Sequence, residues 1–204
     1  MAAYTWPAAW MPRRFRMFIA PNERSFSGYY SGQTQALDLL GESWRMELEL
    51  AEMTGLVGQQ VQAFLDRLRG RVNTITIGNI QRPVPVGTMR GTPTLLASAA
   101  QLASTIQIAT TAGATLLAGD CIGFGGQLSR VMTDATADGT GHMTVEILPR
   151  VRIAQTAGAS VLWDHPTANM ILAAGGGSPV DFTPGSLDMG GALAGSVVLQ
   201  LVEA

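Results

Sequence analysis

Side chains able to do chemistry are few and scattered in this chain. There is one cysteine, Cys121, with two histidines, His142 and His165, and fifteen carboxylates stand against thirteen arginines with no lysine. Nucleophilic hydrolysis needs a serine or cysteine beside a histidine base that a carboxylate orients. No Gly-x-Ser-x-Gly elbow is present, and both histidines stand beside turns, His142 after Gly141 and His165 before Pro166. Asp164 and His165 are an acid-base pair by type, but neighbours on a strand point to opposite faces. Paired carboxylates are the apparatus of glycoside hydrolysis, with Asp134 and Asp138 or Glu47 and Glu49 as candidates. Glu47 and Glu49 fall on the polar face of an alternating segment, the usual place for solvated charge. Cys121 follows Gly119-Asp120 at the start of an expected strand, where a small buried thiol is commonplace.

Glycine-rich segments are weak sites too. Gly123-Phe124-Gly125-Gly126 looks like the opening of a phosphate cradle, yet no helical pattern follows, so a hairpin turn is expected. Gly175-Gly176-Gly177-Ser178-Pro179 lacks any strand-to-helix context and is expected to be a loop. The absence of lysine removes Schiff-base and P-loop lysine chemistry. A lone cysteine excludes an internal disulfide, and two histidines do not make a zinc cluster. The sequence therefore assigns no catalytic, cofactor-binding or metal-binding residue, and the chain is not expected to be an enzyme. One group is different: Trp6, Trp10, Arg13, Arg14, Phe15 and Arg16 are residue types that anchor interfaces. They serve either a partner or the packing of their own domain.

Charge and composition narrow the classes further. Only 14% of the 204 residues are charged, against roughly 25% in average chains, and 24 glycines take part of the vacant share. A net charge of −2 argues against general nucleic-acid binding, which needs a basic surface to displace counterions. No apolar run approaches the roughly 18 residues that span a bilayer. Arginines interrupt residues 1–18, so a signal peptide is not expected either. So few charges fit a subunit covered by copies or partners.

The elements that would position these residues divide at Arg82-Pro83-Val84-Pro85-Val86-Gly87, where a helix cannot continue. Residues 1–82 carry nine arginines and seven acids, and residues 83–204 carry four and eight. In the first part, residues 13–20 and Ser43–Leu50 alternate as strands, the latter with Trp44, Met46, Leu48 and Leu50 on one face. Leu56, Val57, Val61, Phe64, Leu65 and Leu68 form one stripe of a helix over 56–69, with Gly70 placed to end it. Residues 72–77 return to a strand. The second part is a series of short strands: 104–110, a run through 116–124, 128–132 and 143–148, with Asp138-Gly139 and Thr140-Gly141 as a turn. Residues 95–103 read equally as a short helix or a strand. Residues 195–202 read as a buried strand, returning to the first domain or lying between subunits. The expected fold is mainly β (α+β). Residues 1–82, with 195–202 as a candidate returning strand, are expected to form a β-sandwich or split-barrel belt domain with one amphipathic helix, and 83–194 a small β-barrel or β-sandwich domain.

Two stretches in succession carry a family likeness. One is Ser43-Trp44-Arg45-Met46-Glu47-Leu48-Glu49-Leu50-Ala51-Glu52-Met53, then Ala63-Phe64-Leu65-Asp66-Arg67-Leu68-Arg69-Gly70 and the 72–77 strand. The other is Gly91-Thr92-Pro93, then Leu116-Leu117-Ala118-Gly119-Asp120-Cys121-Ile122-Gly123, Val131 through Gly141, and Val145-Glu146-Ile147-Leu148-Pro149-Arg150-Val151-Arg152. Together they resemble tail structural proteins of long-tailed (siphovirus-type) bacteriophages, in particular the distal tail proteins. That resemblance implies a virion protein assembled in the host cytoplasm. It also implies a homo-oligomeric ring, expected to be a hexamer, that joins the tail tube protein to the tip or baseplate hub and fibres, without nucleic acid or membrane insertion. It gives the Ala-Gly-Asp turn a structural task, with Gly119 making the turn and Asp120 bonding nearby amides. The alternatives are a carbohydrate-binding tail module, disfavoured because Phe124, Trp163 and Phe182 are the only aromatics after residue 82, and a tail-associated hydrolase.

Overall fold

The computed structural model describes residues 2–27, 29, 32–177, 182–183, 193–194 and 196–204. The chain begins with β1 (Ala3–Thr5), β2 (Arg14–Ala20), a hairpin of β3 (Glu23–Ser27) and β4 (Thr34–Asp38), and β5 (Ser43–Leu50). It continues with β6 (Met53–Thr54), helix α1 (Gly55–Leu68) and β7 (Thr74–Gly78). Short strands follow: β8 (Thr94–Leu95), β9 (Thr105–Ala109), β10 (Thr115–Leu116), β11 (Cys121–Phe124), β12 (Gln127–Val131), β13 (Ala135–Thr136), β14 (His142–Leu148) and β15 (Val161–Leu162). Last come β16 (Thr167–Gly177), β17 (Phe182–Thr183), β18 (Leu193–Ala194) and β19 (Val197–Glu203). With 47% strand and one helix among the described residues, the fold is mainly β.

These elements form two compact units that are not consecutive halves. One comprises 1–18, 45–81 and 168–204; the other comprises 19–44 and 82–167. The first unit is built on a six-stranded sheet in the order β1-β7-β16-β19-β5-β2. Strand β5 alternates as its sequence demands, with Trp44, Met46, Leu48 and Leu50 buried and Arg45 exposed. Strand β19 lies at the middle of the sheet, antiparallel to both β5 and β16, and buries Val197, Leu199 and Leu201. Burying such side chains supplies roughly 25 cal/mol per Å² of apolar surface removed from water.

The helix follows its stripe: Val61, Phe64, Leu65 and Leu68 are buried. Leu56 is exposed, because the helix begins at Gly55 and its first turn carries little of the buried face. The left-handed terminus falls on Arg69, φ 48°, and Gly70 continues it at φ 66°. Asn73 then closes the helix end. Its Nδ2 donates to Arg67 O (2.9 Å), its backbone N–H donates to Leu68 O (3.1 Å), and its Oδ1 accepts the Ala2 N–H (3.0 Å). This last bond brings β1 alongside β7 in parallel register, Ala3 opposite Thr74. The expected strand over 72–77 accordingly starts later, at Thr74, since Asn73 is occupied with the cap.

In the second unit the sheet order is β15-β11-β12-β14-β9-β8. Its two ends meet: Thr94 bridges Ser160, Leu95 N–H donates to Ala159 O (2.8 Å) and Val161 N–H donates to Pro93 O (2.9 Å). The result is a nearly closed, six-stranded, barrel-like sheet, filled by a cluster that includes Leu95, Ile108, Leu116, Ile122, Phe124, Val145 and Ile147. Residues 95–103, readable either way from the sequence, give β8 and then turns. Gly123–Gly126 is the β11–β12 hairpin, with Gly125 and Gly126 at positive φ. The expected loop at Gly175–Gly177 is instead the end of β16, where the pairing register with β19 shifts. Gly176 fits this shift because an added Cβ would lie 2.7 Å from Gln200 O. Ser178 and Pro179 lie outside the described residues.

Candidate functional site

Three of the carboxylates singled out by type, Asp120, Asp134 and Asp138, are engaged in local turns and loops, while Glu49 is half-buried on β5. Asp120 is fully buried. Its Oδ1 accepts the Val86 N–H (2.8 Å) and its Oδ2 accepts those of Gly87 (3.0 Å) and Leu117 (2.9 Å), with Arg82 Nη1 3.9 Å away. Gly119 at φ 94° makes the turn that aims it. Leaving one such buried amide without its acceptor would cost about 1–3 kcal/mol. Asp134 accepts the Ala118 N–H (2.8 Å). Asp138 Oδ1 accepts the Thr140 hydroxyl (2.6 Å) and the backbone N–H groups of Thr140 and His142. These bonds, the hydroxyl first, hold its pKa down at about 2. Asp134 and Asp138 are thus loop fasteners.

Asp164 and His165 do meet, at 2.6 Å, contrary to the strand argument. The reason is local: His165 sits in a bend at φ 48°, so the alternation rule does not apply. Both are well exposed, and among the described residues no nucleophile is hydrogen-bonded to them. Glu47 pairs with Arg16 at 3.3 Å on the strand surface, and Cys121 is buried. Among the described residues no group of three or more His, Cys, Asp or Glu is arranged to hold a metal ion, and no helix is long and apolar enough to cross a membrane.

The barrel unit carries a shallow groove of about 280 Å³ lined by Arg90, Thr92, Pro93, Ala109, Thr110 and Thr111. Arg90 is already committed, donating to the carbonyls of Pro85, Gly87 and Met89 and stacking 4.9 Å over the Trp163 ring. With Phe124 buried and one face of Trp163 covered, neither ring gives a sugar the bare platform that aromatic recognition uses.

The N-terminal aromatics divide in their roles. Trp6 is 8% exposed and meets Phe64 edge-on at 6.0 Å, while Trp10 meets the same ring at 5.4 Å and Trp6 at 5.8 Å. Trp6 Nε1–H donates to Trp10 O (3.2 Å). The arm therefore packs on helix α1 of its own unit. Trp10 and Phe15 stay half-buried, and Arg13, Arg14 and Arg16 are exposed. Beside Trp10 an apolar groove of about 180 Å³ runs past Met11, Glu52, Met53, Val57 and Val61.

A feature with no signal in the sequence pattern is the β3–β4 hairpin. All ten of its strand residues are exposed. Register places Arg24 opposite Leu37 and Phe26 opposite Gln35, so these four share one face. Phe26 is 58%, Leu37 54% and Tyr29 93% exposed, with Leu39 and Leu40 exposed beyond them. Its base is fixed in its own unit: Arg150 lies 3.0 Å from both Asp38 Oδ2 and Glu42 Oε1, and Leu39 N–H donates to Asn22 O (2.8 Å). The Leu40 N–H and then Arg150 hold the Asp38 carboxyl below its ordinary pKa. No protein-family model matches the chain, and no curated protein matches it in sequence.

Proposed function

We propose that the chain is a structural subunit that closes into a homo-oligomeric ring, of the kind formed by distal tail proteins of long-tailed bacteriophages, between a tail tube and a tip or hub. The observation that carries this reading is the fixed, exposed hairpin, with five large apolar side chains uncovered between Phe26 and Leu40. An isolated two-stranded ribbon is marginal in water, and apolar patches of this sort mark protein-binding surfaces. The open edges β1 and β2 of the first sheet add backbone groups that a neighbour can pair. The low charge fits a subunit with several covered faces, and Asp120, Asp134 and Asp138 act as turn and loop fasteners. The succession of segments that resembles the distal tail proteins supplies the particle. Mass measurement and negative-stain imaging of the purified full-length chain test the proposal. Closed rings of one stoichiometry, expected to be six, support it; a chain that stays monomeric at high concentration overturns it.

A further inference from the structure

We infer that the subunits join head to tail, the Arg24, Phe26 and Leu37 face of the hairpin entering the apolar groove beside Trp10 on a second copy. This inference rests on the self-association proposed above and names its contact. The two surfaces match in chemistry. The hairpin face offers an uncovered aromatic ring and an uncovered Leu side by side, and the groove is walled by Trp10, Met11, Met53, Val57 and Val61. They also match in charge. Arg24 stands on the same face of the hairpin as Phe26 and Leu37, and Glu52 in the groove wall; both are exposed, and neither side chain makes a hydrogen bond or ion pair with the described residues of its own chain. A cation on one surface and an anion on the other favour this pairing over a hairpin-to-hairpin contact, which would bring two Arg24 cations into one interface. A knob and a groove at different places on one chain make a heterologous contact, which closes into a ring when the rotation between copies allows.

Charge exchange tests it by sedimentation of the full-length chain. Arg24→Glu alone and Glu52→Arg alone should each weaken self-association on the order of tenfold, and the two together should restore it. Phe26→Ser and, on the other strand, Leu37→Ser should each weaken it by roughly tenfold or more. All four positions are exposed or at a groove rim, so far-UV circular dichroism should match that of the parent chain. Oligomers that persist unchanged in these variants overturn this contact while leaving the ring standing. Single variants that weaken association without rescue in the double variant overturn the Arg24 to Glu52 pairing. A parent chain that never associates overturns both the contact and the ring.

Discussion

Asp120 and Asp138 are both turn carboxylates that accept several donors, yet water reaches only one of them. Asp138 sits in the open, with its pKa held at about 2 by the Thr140 hydroxyl and then by the amides of His142 and Thr140. Since the folded value lies below the ordinary carboxylate value of 3.8, the turn's contribution is whole above 3.8 and disappears as pH falls through about 2. An NMR titration of the Thr140 and His142 amides should therefore show a midpoint near 2, and Asp138→Asn should abolish it. A midpoint at 3.8 would mean the turn is not formed as described. The structural task of the Asp120 turn was readable from Ala-Gly-Asp, because a short carboxylate after a turn glycine has amides within reach. Its partners Val86 and Gly87 were not, because they approach from 34 and 33 residues away.

At the scale of elements, legibility followed asymmetry of burial. Ser43–Leu50 buries one face and exposes the other, so its alternation shows in the residues themselves. The β3–β4 hairpin exposes both faces and has no reason to alternate, and β1 is too short, at three residues, to show a period. The tryptophans show how two residues of one motif come apart. Trp6 is buried against Phe64, so Trp6→Ala should cost about 3 kcal/mol of subunit stability. Trp10 is half-exposed and walls the groove, so Trp10→Ala should cost about 1 kcal/mol while weakening self-association more than Trp6→Ala does. Thermal melts and sedimentation on the two variants check this. Removal of residues 1–12 should lower subunit stability as well as assembly, because β1 and Trp6 go with them.

For the whole molecule, the chain crosses between its two units at 18/19, 44/45, 81/82 and 167/168. The arginine-rich early part and the charge-poor later part are therefore interleaved. Strand β19 lies between β16 and β5, so deleting residues 197–204 should strip both neighbours of a partner and unfold the first unit. The barrel unit draws no residue from that segment and should keep its dispersed NMR spectrum. A truncated chain that melts like the parent would contradict this placement. The central position of β19 also orders events in time. A ribosome delivers 45–81 long before 197–203, so the first sheet waits, incomplete, until those last residues emerge, whereas the barrel has all its residues once translation has passed 167. A nascent chain that has not reached 197 can display a finished barrel with its hairpin but not a finished first sheet. The seven residues of β19 thus set the moment at which the first unit can complete its sheet, after the barrel unit already has every residue it uses.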